Sequence, residues 1–426
     1  MIYLLIAAGI GVIAVIYVGI YLFTSIGKNA TRLAITEATP VVSSPEFLVN
    51  LATTVNGSLI PFVNEYCTVL YKNEDYRDNL LNDIANASKS ISLLTYVWDF
   101  DESTEEIFSA LIAAVERGVT VRLLIDAMGS YISASKRHEL EAAGISIALF
   151  RPFEAGKLTT YNARVHRRAY IFDGQIGYFG GSALTKHWLE SSIENDFVYD
   201  DVMYRVAGTA LMPIASAFGE LWPAYRHTVA QDLLTSEAID QSQGAPNAVS
   251  LIHVPQTEVH PLTYYLWYSC MCAKDSIMIV NPYFVPGKAL TELLCSKARA
   301  GVAVTIITQG SDELRFVQYA ARSYYSKLMA AGVKIIEHKR PHLHAKFTII
   351  DAHFSICGSA NFDIRSQRIN SEFVIGIQSD ELAATHLQIV ESYQNDLKTI
   401  DPEIWSQRSW YSRLMEKVFM AVSEQL

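Results

Sequence analysis

The chain has 426 residues, half of them apolar, and a formal net charge of -10. That length can bury a large core and hold two domains or two fused halves, while an acidic chain without a lysine or arginine cluster is a poor match for a nucleic-acid backbone, whose binding rests on counterion release by many cations. The five cysteines, Cys67, Cys270, Cys272, Cys295 and Cys357, are odd in number and lack paired CxxC spacing, which argues against a disulfide framework or a structural zinc site and for buried free thiols.

Residues 2–23 contain no charged side chain, and about 20 apolar residues suffice to cross a bilayer as a helix. No basic n-region or clear cleavage site marks a secretory signal. The expectation is a retained transmembrane anchor over residues 1–27. Lys28 and Arg32 follow it and no basic residue precedes it, which places the body on the cytoplasmic side.

After a connector at 28–62, polar around 36–44, one plan is written twice. In the first copy "SISLLTYVWDFD" reads as a strand, "STEEIFSALIAAVERG" as a helix capped by Ser103 or Thr104, and "VTVRLLIDAMG" as a strand. A helix ending at Gly144 and the strand "ISIALF" follow. The second copy answers with "SIMIVNPYFVP", "ALTELLCSKARAG", "VAVTIITQGSD", a helix from Phe316 to Gly332, and "VKIIEH". Strands alternating with helices at this spacing predict an α/β fold with mixed or parallel sheets covered by helices. The boundaries read as a first domain at 63–229, a linker with Gly and Pro at 230–250, and a second domain at 251–400. The tail at 401–426 interleaves Trp405, Trp410, Tyr411, Leu414, Met415, Val418 and Phe419 with Arg408, Arg413 and Lys417. It predicts an amphipathic helix that either docks on the domain or lies on lipid.

Each copy then reaches a histidine run. The second is His344, Lys346, Asp351, Gly358, Ser359, Asn361; the first, an imperfect copy, is His166, Arg168, Asp173, Gly180, Gly181. Alternation puts His344 and Lys346 on one strand face and Asp351 on the other, so the aspartate reads as a turn or ion-pair residue. The glycine turn, Ser359 and Asn361 offer donors to phosphate oxygens, and Glu372 lies far enough on to orient the histidine from a neighbouring strand. Two histidines, each with a nearby cation, suit attack on a phosphodiester without a metal or cofactor.

The run H-x-K-x4-D-x6-G-S-x-N resembles the phospholipase D superfamily, and "NPYFVPGKAL", "ARSYYSKLMAAGVKIIE", "LHAKFTIID" and "GSANFDIRSQRINSE" narrow the resemblance to bacterial cardiolipin synthases. "NARVHRRAYIFDGQIGYFGG" answers the first family motif, and Asp201 answers Glu372. The resemblance implies two fused α/β/α domains related by a pseudo-twofold axis. Its catalytic set is His166, His344, Arg168, Lys346, Asp173 and Asp351. Gly181, Ser182, Ser359 and Asn361 would bind phosphate, and Asp201 and Glu372 would orient the histidines. Arg168 replaces the family lysine and Ala183 stands where the second copy has Asn361. Arginine keeps the charge on a larger, planar fork, and the lost amide removes one donor.

The implied activity is phosphatidyl transfer through a phosphohistidine on His166, in the bacterial inner membrane. It would make cardiolipin from phosphatidylglycerol, with phosphatidylglycerol or phosphatidylethanolamine as second substrate. The residues leave open a phospholipase D type hydrolase, a nuclease or a lipid-binding pseudoenzyme. Tyr283, Phe284, Tyr324, Tyr325 and Trp188 are candidates either to line an acyl approach or to pack a core.

Overall fold

The computed structural model describes residues 40–421, apart from 56–58, 65–66, 101, 155–160, 195, 237, 239–243, 256–259, 311–314 and 341. The expected anchor therefore lies outside the described residues. Among those described, no helix is long and apolar enough to cross a membrane.

The helix Pro45–Thr54, capped by the Ser44 hydroxyl, leads into β1 (Leu59–Phe62). The first half then contains β2 (Cys67–Leu70), β3 (Ser90–Thr95), β4 (Thr120–Asp126), β5 (Ser146–Phe150), β6 (Ala169–Phe172), β7 (Ile176–Gly180) and β8 (Met203–Ala207). The second half contains β9 (Ala248–His253), β10 (Ser276–Val280), β11 (Ala303–Gln309), β12 (Lys334–His338), β13 (Phe347–Ile350), β14 (Phe354–Gly358), β15 (Glu372–Gln378) and β16 (Leu397–Thr399). Their orders, β2-β8-β7-β6-β3-β4-β5 and β1-β9-β15-β14-β13-β10-β11-β12-β16, share one pattern. Three parallel strands, joined by helical crossovers, continue into an antiparallel meander. The second sheet adds β1 at one edge and β16 at the other.

Every residue of β3, β6, β13 and β14 is buried, so these strands read as continuous runs rather than alternating ones. The sheets face each other across a shared apolar core. There Phe179 meets Phe373 edge-on at 5.8 Å and the Tyr204 hydroxyl bonds His386 Nε2 at 2.8 Å.

Sequence and structure differ at two connections. Residues Pro45–Thr54 form a helix and Leu59–Phe62 an edge strand, and both pack on the second half, with Phe47 edge-on to Phe354 at 4.8 Å. The 230–250 segment is tied down: Asp232 pairs with Arg122 at 2.9 Å, Leu233 and Ala238 are buried, and Ala248 already begins β9. In the tail, the helix Trp410–Ala421 docks on the helix Arg315–Met329, with Phe419 against Phe316 and Tyr319.

Candidate active site

His166 and His344 do not lie in strands: β6 and β13 begin three residues after them. Each sits in an extended lead-in that bonds to the opposite half. The His166 N–H donates to Ser371 O and the His344 N–H to Asp200 O, both at 2.8 Å. Those acceptors immediately precede Glu372 and Asp201. The orienting carboxylates therefore cross over: His166 Nδ1 meets Glu372 at 3.0 Å, and His344 Nδ1 meets Asp201 at 2.5 Å. Spacing along the chain had paired Glu372 with its own half's histidine, because the crossing is a property of how the halves dock.

Close backbone approach explains the glycines. A Cβ on Gly180 would stand 2.4 Å from Val202 O, and one on Gly358 would stand 2.3 Å from Phe373 O. Both have positive φ, 151° and 148°. They let the segments carrying Asp201, just before β8, and Glu372, at the start of β15, close against the turns. Gly181 makes room for Asp201 itself, since a Cβ there would lie 2.3 Å from Oδ1. At the equivalent place in the second half, Ser359 Oγ donates to Glu372 at 2.5 Å and Ser366 Oγ donates at 2.8 Å. Trp188 Nε1 does the same for Asp201 at 3.0 Å. Ser359, read from sequence as a phosphate donor, thus spends its hydroxyl on the carboxylate that holds His166. Ser182 offers its carbonyl to Arg168 Nε, and the buried Asn361 side-chain oxygen has no partner.

The two cations occupy equivalent places despite their chemistry. Arg168 Nη1 donates to the carbonyl of His166 at 2.7 Å, and Lys346 Nζ donates to the carbonyl of His344. The wider guanidinium also reaches Ser182 O. Arginine is accommodated by a second backbone acceptor rather than by displacing the histidine.

Burial pushes both imidazoles below the usual histidine range. For His166 the effect is opposed by Glu372, whereas beside His344 the adjacent Lys346 adds to it, taking His344 to about 4. Burial also draws Lys346 down to about 8, against the attraction of Asp201. Burial pushes Asp201 up, but Lys346, His344 and the Val202 N–H outweigh it and leave the carboxyl at about 2. Glu372 is likewise held low by His166, Ser359 and Ser366 in spite of burial. The resulting state has ionised carboxylates beside Nδ1 of neutral rings, and at His344 the Lys346 Nζ also approaches Nδ1 at 2.7 Å and Nε2 at 3.4 Å.

Asp173 and Asp351, grouped with the histidines by the motif, are positioned elsewhere. Both follow the far end of their strands, about 20 Å of extended chain from the histidine. Asp173 accepts the N–H groups of Ser88, Lys89 and Ser90, and Asp351 those of Lys274, Asp275 and Ser276. Each therefore clamps the entry to the neighbouring antiparallel strand, β3 or β10. Two residues missed in the sequence do support the site: Asp126 accepts the Val165 N–H at 3.0 Å and Gln309 accepts the Leu343 N–H at 3.1 Å. They end the same strand in both copies, so aligning the repeat beyond its histidines would have found them.

Aromatic surroundings are unequal. Trp188, Tyr199 and Tyr283 stand 5.1, 5.2 and 6.3 Å from the His344 ring, whereas Tyr96 stands 5.1 Å from the His166 ring. Phe284, Tyr324 and Tyr325 belong to the second half's core. Among the described residues, no three His, Cys, Asp or Glu side chains gather as a metal site.

Residues 80–222 and 270–394 match the family described as cardiolipin synthase, PLD-like domain. Similar proteins include cardiolipin synthase A of Buchnera aphidicola subsp. Schizaphis graminum, 27% identical over 84% of this chain and 75% of its own. Cardiolipin synthase of Geobacillus sp. (strain WCH70) is 29% identical over 91% of this chain and 77% of its own. In fold, the chain is similar to the crystal structure of phosphatidylserine synthase from Haemophilus influenzae Rd KW20. That likeness has a TM-score of 0.65 and 15% identity, covering 89% of this chain and 99% of that one.

Proposed function

The chain belongs to the cardiolipin synthase, PLD-like family and is a phosphatidyltransferase of the phospholipase D superfamily, and on that footing we propose that it joins two phospholipids into cardiolipin, with phosphatidylglycerol as donor. The observation that carries the reading is the crossed pair of carboxylate-held histidines with a cation bonded at each.

In this reading His166 attacks phosphorus through Nε2, an assignment taken from the family resemblance. The P–O bond to the glycerol headgroup breaks, and His344, protonated in the presence of the anionic phosphodiester, gives its proton to the leaving oxygen. The hydroxyl of a second phosphatidylglycerol enters from the same side; in the alternative pairing phosphatidylethanolamine is the donor, the P–O bond to ethanolamine breaks, and the phosphatidylglycerol hydroxyl is still the acceptor. His344 takes the entering proton, the new P–O bond forms, and the P–N bond to His166 breaks. With two phosphatidylglycerols, the products are cardiolipin and free glycerol. Arg168 and Lys346 stabilise the charge on the non-bridging oxygens. The charge-free run at residues 2–23 supports an anchor in the bacterial inner membrane, and Lys28 and Arg32 after it support a cytoplasmic body.

The test is lipid product analysis of the purified full chain in detergent with phosphatidylglycerol alone, then with phosphatidylethanolamine added. Cardiolipin with an equal amount of glycerol is expected. Phosphatidic acid in its place would make the protein a hydrolase, and no turnover would overturn the transferase reading.

A further inference from the structure

The helix Trp410–Ala421 presents three distinct faces. One is docked: Phe419 packs on Phe316 and Tyr319, and the buried Glu416 takes two hydrogen bonds from Arg408. A second is apolar and faces outward, with Trp410, Leu414 and Val418 recurring every fourth residue and Tyr411 beside them; they are 75%, 46%, 47% and 53% exposed. Arg413 and Lys417 form the third face. Each precedes one of the exposed aliphatic residues, so the cations follow the edge of the apolar strip. Ile404, in the short helix before it, is also 73% exposed.

Docking alone does not require this arrangement, because the face that holds the helix to the domain is the opposite one. Leaving tryptophan, tyrosine and aliphatic side chains in water is unfavourable. A strip of them edged by cations matches the boundary of an anionic bilayer, where aromatic rings sit among headgroups and lysine or arginine meets phosphate. The position of the helix also bears on the occupant. The first turns of Arg315–Met329 receive Phe419, and the same turns hold the residue after β11: Gln318 and Arg322 both donate to Gly310 O. Gln309, immediately before it, accepts the Leu343 N–H next to His344. The outward strip is thus one helix away from the strand end that supports the histidine.

We propose that the outer face of the C-terminal helix lies in the interface of an anionic phospholipid bilayer and seats the site-bearing end of the second half against that surface. The strip is a second membrane contact, separate from residues 2–23. Only its consequence for turnover rests on the phospholipid reading.

The experiment uses the full chain reconstituted in vesicles of phosphatidylglycerol and phosphatidylcholine brominated in the upper acyl chain. Bromine should quench part of the tryptophan emission, and that part should disappear in Trp410→Phe. Equal quenching in the two proteins would overturn the proposal whether or not the protein turns over lipid. In a second arm, Leu414→Ser with Val418→Ser should lower turnover of vesicle phosphatidylglycerol about fivefold or more. Turnover of monomeric short-chain phosphatidylglycerol should stay within about twofold, with an unchanged thermal melt. Equal loss on both substrates, or loss on neither, would overturn the seating role. If the unmodified chain turns over neither substrate, the transferase reading fails, and the quenching arm still decides the membrane contact.

Discussion

His166 and His344 occupy equivalent backbone positions in equivalent halves, yet their surroundings differ in kind. Both have a carboxylate from the other half on Nδ1 and a cation on their own carbonyl. Around His344 the cation is a lysine and the walls are Trp188, Tyr199 and Tyr283. Around His166 the cation is an arginine, Tyr96 is at the ring, and Glu372 is buttressed by two serine hydroxyls rather than by an indole. Duplication thus kept the parts that fix geometry, and divergence acted on those that set charge and polarity. Two histidines with different proton affinities are what nucleophilic attack and proton transfer require of one site.

The strongest test of that division replaces the rings themselves. His166→Ala and His344→Ala should each lower transfer by about 10³-fold or more, and the double variant should lose little beyond either single one, because the two act as a unit. Rapid-quench trapping with phosphorus-labelled lipid should place the label on His166. Label on His344 would exchange the two roles, and full additivity would separate the rings into independent sites.

A smaller loss should follow from breaking the crossing. Glu372→Gln and Asp201→Asn should each cost about 10- to 100-fold. The sharper readout is imidazole titration by NMR. Glu372 raises the pKa of His166, so Glu372→Gln should move His166 still lower and leave His344 in place, and Asp201→Asn should do the reverse. Movement of the same-half histidine would refute the crossed arrangement.

The cations predict a difference in pH dependence. With Lys346 drawn down to about 8, its ammonium is present below that pH and is lost as pH rises through it, so turnover should fall on the alkaline side of about 8. Lys346→Arg should carry activity several-fold further at pH 9, because a guanidinium keeps its proton there, at a few-fold cost near neutrality from the larger fork. An alkaline limb unchanged in Lys346→Arg would assign it to another group.

Much of this is legible in the amino-acid sequence. The doubled strand–helix plan gave the two sheets, since strands buried on both faces must be apolar throughout and their crossover helices end at glycines. The histidines, cations and orienting carboxylates were visible because they repeat. Docking was not legible: nothing within "RINSEFVIG" says that Glu372 serves the other half, and nothing in residues 45–62 says that they join the second sheet. Ser359 was misread because a hydroxyl beside a glycine turn suits a phosphate and a carboxylate equally well, and only the distance to Glu372 chooses.

The smallest expected effect on turnover concerns Asp173 and Asp351, where the halves should behave alike. Each carboxylate gathers three successive backbone N–H groups at the start of the adjacent antiparallel strand, and each residue has positive φ, 54° and 52°, which aspartate and asparagine tolerate better than most. Alanine removes the acceptor and leaves a strained backbone, so Asp173→Ala and Asp351→Ala should each destabilise the fold by about 2–4 kcal/mol. Asparagine keeps the backbone preference and one acceptor oxygen and should cost about half as much. Denaturant unfolding measures both series, and turnover per folded molecule should stay within about twofold because the clamps are remote from the rings. If turnover collapsed in stably folded Asp351→Asn while Asp173→Asn remained active, the aspartates would have roles in chemistry that their positions do not provide, and the likeness of the two halves would stop at the backbone.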